Sequence, residues 1–161
     1  MKEFFLKYID SPVGVLKIAG RAGAITSVSY AGARPGSTKE KAPEFLERCA
    51  KELGEYFDGK RREFTVKLSP EGTDFQMKVW MELLKIPYGE TVSYQLIAER
   101  TGNPKAARAV GMANNKNPLA IIVPCHRVIG KNGKMVGYAT GIWKKEWLLS
   151  HERENMAVKS E

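Results

Sequence analysis

The hydrophobic period of this 161-residue chain changes at Ser69-Pro70-Glu71-Gly72, and that break limits the folds open to it. Upstream, short strand-like runs alternate with turn residues. Phe4 to Ile9, Val15 to Ala19 and Ile25 to Tyr30 are separated by Ser11-Pro12-Val13-Gly14 and Gly20 to Gly23, the spacing of antiparallel hairpins. A polar stretch from Gly32 to Lys41 leads to a helix opened by Pro43. It carries Phe45, Cys49, Leu53 and Phe57 at four-residue steps, with Gly59 as its stop. Phe64, Val66 and Leu68 alternate as a further strand. Downstream the apolar spacing is helical, so a boundary is expected near residue 70, with an N-terminal sheet and helix over 1–70 and a second domain over 71–161.

The second half carries its own punctuation. Thr73 or Asp74 caps a helix with apolar face Phe75, Val79, Trp80, Leu83 and Leu84, ended by Ile86-Pro87-Tyr88-Gly89. Thr91 or Ser93 caps a short helix running to about Thr101. Gly102 closes it, Asn103 caps again, and Pro104 opens a helix through Ala106, Ala107, Val110 and Ala113. Two short helices around a Gly turn form a candidate helix-turn-helix. Leu119 to Val123 reads as a buried strand. Val128 to Tyr138 reads as a hairpin around Asn132-Gly133, a pair suited to a type I′ turn, which would supply a wing. A last helix, Trp143 to His151, should turn both its tryptophans and Leu148 inward.

The net charge of +8 is concentrated usefully: from Arg100 to Lys145 there are nine Lys or Arg residues and no Asp or Glu. That segment is the expected phosphate-facing surface. The longest apolar run spans five residues, Leu119 to Val123, and Glu3, Lys7 and Asp10 interrupt any N-terminal apolar stretch, so neither a membrane span nor a signal peptide is expected and the reading is cytoplasmic. Two cysteines with no CxxC spacing and only two histidines argue against a zinc cage or another metal site. Cys49, on an apolar helical stripe, reads as a buried small side chain.

Pro124-Cys125-His126-Arg127-Val128 follows the buried run directly. A thiol delivered into a basic neighbourhood is expected to ionise, and His126 is the nearest base, although adjacent side chains diverge and a bridging water could be required. Taken alone, the Cys-His dipeptide fits packing better than chemistry. From spacing alone, Glu152 reads as a solvated helix-end residue, Tyr94 as an exposed residue at a helix start and Arg108 as a phosphate contact.

In order, Val92-Ser93-Tyr94-Gln95, Gly102-Asn103-Pro104-Lys105-Ala106-Ala107-Arg108-Ala109-Val110-Gly111, Asn117-Pro118, Ile122 to Val128 and Gly137-Tyr138 closely resemble the O6-alkylguanine-DNA alkyltransferases from about Phe75 to Glu152. The first seventy residues match in size and in the hairpin start Ser11 to Gly14. The resemblance implies an α/β (α+β) fold: a small ribonuclease-H-like sheet and helix, then a helical winged helix-turn-helix domain. It implies repair of double-stranded DNA by irreversible transfer of the alkyl group from O6-alkylguanine to Cys125, with O4-alkylthymine as a candidate second substrate. His126 acts through a water, Glu152 completes the relay and Tyr94 gives a proton to the guanine ring. The damaged nucleotide must leave the stack, and Arg108 matches the arginine that fills its place. Lys105, Ala106, Ala107, Arg127, Ser93 and Gln95 are assigned with it to the DNA surface, entered through the minor groove. Asn117 ties the helix-turn-helix to the active-site strand, and Val128, Tyr138, Ala139 and Thr140 line the guanine pocket. Where many relatives carry Gly or Trp, Thr140 bears on the size of alkyl group accepted. No cofactor or metal is implied, and the expected state is a monomer that can bind DNA cooperatively. A lesion-binding protein without transfer, a winged-helix regulator and a Cys-His hydrolase are the competing readings. They predict, respectively, a replaced cysteine, sequence-specific half-sites and repeated turnover.

Overall fold

A computed structural model describes residues 3–33, 42–135 and 137–158. Most of the polar stretch expected between Gly32 and Lys41 lies outside them, as does Val136 in the expected wing. The chain divides into two compact units, Met1–Glu71 with Pro118–Ala120, and Gly72–Asn117 with Ile121–Glu161.

In the first unit, β1 (Phe5–Ile9), β2 (Val15–Arg21) and β3 (Ala24–Ala31) form an antiparallel sheet in sequence order. The alternation places Lys7 opposite Ile18 and Ile18 opposite Val28. α1 (Glu44–Phe57) lies against this sheet, with Phe45 edge-on to Phe5 at 6.3 Å between ring centroids and Glu47 paired to Lys7 at 3.1 Å. Leu16, Ile18, Ile25, Leu46, Leu53 and Tyr56 are fully buried. Gly59, at φ 76°, ends the helix as expected, its N–H donating to the Tyr56 carbonyl. Cys49 is a core residue, its thiol pushed up to about 12 by burial and by Glu52.

The strand expected at Phe64, Val66 and Leu68 does not form. Buried Glu52 of α1 accepts hydrogen bonds from the Thr65 backbone N–H at 2.8 Å and hydroxyl at 2.5 Å, which hangs this segment on a side chain instead of a ladder. Only Leu68 bridges β3, through Ile25. The run Leu119 to Val123 is likewise no strand, though all of it is buried. Leu119 makes one parallel bridge to Val28, and Ile121, at φ 73°, turns the chain away.

The second unit is mainly helical. Thr73 caps α2 (Asp74–Leu83) in a reciprocal box with Gln76: the Gln76 N–H donates to the Thr73 hydroxyl, and the Thr73 N–H to the Gln76 side chain. Ser93 caps α3 (Tyr94–Arg100), and Gly102, at φ 96°, permits the turn to α4 (Ala107–Asn115). α4 begins later than the Asn103-Pro104 signal implies. The Asn103 side chain instead accepts from the Lys105 N–H to make a local turn, and Gln95 pins that turn by donating to the Pro104 carbonyl at 2.7 Å. Trp80 donates to the Ala113 carbonyl at 2.9 Å and ties α2 to α4.

The expected wing is reduced. β5 (Val128–Ile129) pairs in parallel with β4 (Val92–Ser93), not with a returning strand. Asn132 and Gly133 do take positive φ, and Gly130 donates to the Lys134 carbonyl, so the turn forms without a ladder beyond it among the described residues. α5 (Ile142–Val158) is longer than expected and buries Lys145, Leu148, Leu149 and Glu152, positions i, i+3, i+4 and i+7 of one face. Trp143 and Trp147 fall on the other side. Trp143 is 55 % exposed and half-buried Trp147 stacks on His151, so the expected inward packing holds only for Leu148.

Candidate active site

Pro124 sets the turn that presents the thiol. With φ −79° and ψ 63° it occupies an inverse γ-turn, closed by the Cys125 N–H donating to the Val123 carbonyl at 2.7 Å. A single 3-10 turn, Cys125–Arg127, then buries all three side chains before β5 begins.

Behind that turn stands Glu152 on α5. His126 Nε2 lies 2.6 Å from one carboxylate oxygen, and both side chains are fully buried. Arg127 donates to both oxygens, from Nε at 2.8 Å and Nη2 at 3.0 Å, and the Gly89 N–H adds a fourth bond at 3.1 Å. Burial would raise the Glu152 carboxyl. The hydrogen bonds and charges of His126 and Arg127 outweigh it and hold the group well below the usual carboxylate range. Burial pushes His126 the other way, below its ordinary value, against the pull of Glu152. Glu152 is therefore the ionised member and His126 the neutral one. A neutral ring donating Nε2–H to Glu152 leaves Nδ1 with its lone pair, and Nδ1 has no hydrogen-bond partner among the described residues.

Two expectations are corrected here. Cys125 is not ionised by basic neighbours at rest. Burial raises its thiol, and the Asn117 hydrogen bond, the Lys145 charge and the local backbone N–H groups only partly offset this. Arg127, expected at the DNA surface, is turned inward instead. It is buried, bound to Glu152 and to the Ile86 carbonyl at 2.8 Å, with its guanidinium 5.5 Å from the Tyr88 ring centroid. The solvated reading of Glu152 from spacing alone also falls.

Lys145, expected on the phosphate-facing stretch, is turned inward instead, and Asn114 is a site residue that sequence reasoning missed. Lys145 is fully buried, donates to the Val128 carbonyl at 2.5 Å and sits 6.0 Å from the Tyr94 ring centroid, its ammonium brought down to about 8 by burial. Its signal was in the spacing: it shares the i, i+3, i+4, i+7 stripe with Leu148, Leu149 and Glu152. Asn114, buried on α4, donates to the Cys125 carbonyl at 3.3 Å and hydrogen-bonds the Tyr94 side chain. Tyr94 is half-buried. Its hydroxyl is raised by burial, and further by Cys125 once that thiol is ionised, against the Asn114 bond, and so keeps its proton. Asn117 donates to the Val123 carbonyl at 2.8 Å, in a buried run that is not the strand expected there.

The remaining predicted residues are distributed as follows. Arg108, Lys105 and Gln95 are exposed, and Ala106 and Ala107 are half-buried around the start of α4. The Ser93 hydroxyl accepts from the Leu96 N–H as a cap. Val128 is buried beside Lys145 and Tyr138 is half-buried, while Ala139 and Thr140 are exposed ahead of α5. Among the described residues no group of three or more His, Cys, Asp or Glu converges as a metal site.

Comparison with known proteins matches residues 5–70 to the ribonuclease-like domain, and residues 74–154 to the DNA binding domain, of 6-O-methylguanine DNA methyltransferase. A methylated-DNA–protein-cysteine methyltransferase of Methanosarcina mazei is 57% identical over 155 residues, covering 92% of this chain and 96% of its own. Its counterpart in Methanosarcina acetivorans is 50% identical over 150 residues, covering 89% and 94%. Among solved structures, the Mycobacterium tuberculosis O6-methylguanine methyltransferase superposes with a TM-score of 0.84 at 43% identity, over 95% of this chain and 94% of that one. The M. tuberculosis protein solved in complex with DNA gives 0.85 at 47%, over 93% of each chain.

Proposed function

Since the chain belongs to the 6-O-methylguanine DNA methyltransferase family, we propose that it repairs DNA by moving the alkyl group of O6-alkylguanine onto Cys125, once per molecule. The observation that carries the assignment to these residues is the buried His126–Glu152 contact at 2.6 Å, formed from the same turn that presents the thiol.

A protonated resting thiol makes a base necessary. His126 Nδ1, acting through a bridging water, takes the Cys125 proton, and Glu152 stabilises the imidazolium as the third group does in other nucleophile and base pairs. As the proton leaves, the Lys145 ammonium and the Asn117 hydrogen bond favour the thiolate. The sulfur then attacks the alkyl carbon in line: the S–C bond forms, the C–O6 bond breaks, and its electron pair departs with guanine. Tyr94, a phenol kept protonated by its surroundings, donates to the guanine ring and makes it a better leaving group. A thioether has no route back to the thiol, so the protein is consumed as it reacts.

DNA is the partner, met by the helix-turn-helix of α3 and α4. The target atom is inside the duplex, so the nucleotide turns out into the pocket and exposed Arg108 occupies the space it leaves. Small residues at 106 and 107 let the start of α4 approach a minor groove, where base-independent contact suits a protein that acts at any sequence. In this reading residues 71–161 hold the chemistry. The protein acts as a monomer that several copies can extend along DNA, in the cytoplasm; among the described residues no helix is long and apolar enough to cross a membrane.

The test is stoichiometry. With a duplex holding one O6-methylguanine, guanine should be restored up to one equivalent of protein, and none by Cys125→Ala. Restoration beyond one equivalent would contradict the reading.

A further inference from the structure

Tyr94 is held from several sides, and one of them is a bare backbone. Its side chain hydrogen-bonds Asn114, and Lys145 Nζ lies 6.0 Å from its ring centroid. On a further side is Gly137, in the segment between β5 and α5. A β-carbon on Gly137 would lie 2.5 Å from Tyr94 Oη, 3.6 Å from its Cζ and 3.5 Å from Asn115 Oδ1. The first distance is far inside van der Waals contact, whereas the other two are ordinary. Gly137 also has φ +75°, a conformation that disfavours most side chains. The two demands separate cleanly. Asn tolerates positive φ, so conformation alone would admit it; the approach of the Tyr94 hydroxyl admits only glycine.

We infer that Gly137 is a positioning residue for the reaction: its missing side chain lets the Tyr94 hydroxyl rest against the 137 backbone, which fixes where that hydroxyl meets the bound guanine. The inference rests on the proton-donor role proposed for Tyr94. A side chain at 137 pushes the hydroxyl off this position by about the overlap it creates, on the order of 1 Å, and displacement of that size at a reacting group slows chemistry by up to roughly 10²-fold. Because the obstructing atom belongs to Tyr94, removing the hydroxyl should also remove the need for glycine.

The experiment is a double-mutant cycle in single-turnover transfer from a duplex with one O6-methylguanine, using the full chain. Rates at saturating protein are measured for wild type, Gly137→Ala, Gly137→Asn, Tyr94→Phe and each Gly137 variant combined with Tyr94→Phe, with duplex affinity and melting temperature alongside. With Tyr94 intact, both Gly137 variants should slow the saturated rate at least about tenfold with duplex affinity retained, and in the Tyr94→Phe background they should change it within about twofold. The inference is overturned if Gly137→Asn reacts at the wild-type rate, which would leave backbone conformation as the only requirement. It is equally overturned if the Gly137 variants cost as much in the Tyr94→Phe background as they do with Tyr94 intact. Transfer by the wild-type chain in the same series tells failure of this inference from failure of the reading it rests on.

Discussion

Replacing Glu152 with Gln keeps the shape of the buried side chain and removes its charge. The carboxylate takes four hydrogen bonds, from His126, twice from Arg127 and from Gly89. An amide turns one of the two acceptor oxygens into a donor facing donors and leaves the Arg127 guanidinium buried without a counter-charge. Breaking a buried pair on one side costs about 3–5 kcal/mol. For a chain of this size that lowers the melting temperature by on the order of 6–20 °C. The cost should also depend on pH in a defined direction. The folded Glu152 value is depressed, so its contribution is complete above the unfolded value of 4.5 and is lost as pH falls through the folded one. At one pH unit below the unfolded value, the gap between wild type and Glu152→Gln should have narrowed by about 1.4 kcal/mol. Urea unfolding at pH 7.5 and pH 3.5, with unchanged slope between the proteins, measures both quantities. A cost under about 1 kcal/mol at pH 7.5, or a gap that does not narrow in acid, would refute the assignment of Glu152 as the ionised anchor.

Lys145→Met should raise the pH at which Cys125 titrates in thiol-trapping experiments, since it removes a charge that favours the thiolate. It should also abolish a stability gain between pH 8 and 10.5 on the order of 3 kcal/mol, because the folded Lys145 value, about 8, lies below the unfolded 10.5 and the unfolded chain binds the extra proton across that window. An unchanged thiol titration would contradict the role given to Lys145. Arg108→Ala, at an exposed helical site, should leave stability within about 0.5 kcal/mol while slowing transfer from duplex DNA. Equal rates for the two proteins would remove Arg108 from nucleotide extrusion.

Local signals were legible where one short segment settles its own conformation. The alternation of β1 to β3, the Thr73–Gln76 box, the Ser93 cap and the positive φ of Gly59 and Gly102 all follow from side chains within a few residues. Readings failed where a distant partner decides. Phe64 to Leu68 has strand alternation, but Glu52 holds Thr65 away from a ladder. Val128 and Ile129 could have started a hairpin, but they pair with Val92 and Ser93 in parallel. Arg127 looks like a DNA contact in a basic stretch because its counter-charge is 25 residues away on α5. The acidity of Cys125 depends on how deeply the thiol is buried, and counting nearby Lys and Arg residues does not report that. The catalytic motif is readable as a resemblance; Lys145 reads only as part of the basic stretch because its burial depends on the face of α5 it shares with Glu152, and nothing local marks Asn114.

The central claim is that Cys125 itself becomes alkylated. Intact mass, followed by peptide mapping, after incubation with a duplex containing a single O6-methylguanine tests it most directly. The account predicts a gain of one methylene per molecule on the peptide holding Cys125, absent in Cys125→Ala. A protein that binds the duplex with no change in mass, or that gains the methylene on another peptide, would contradict it.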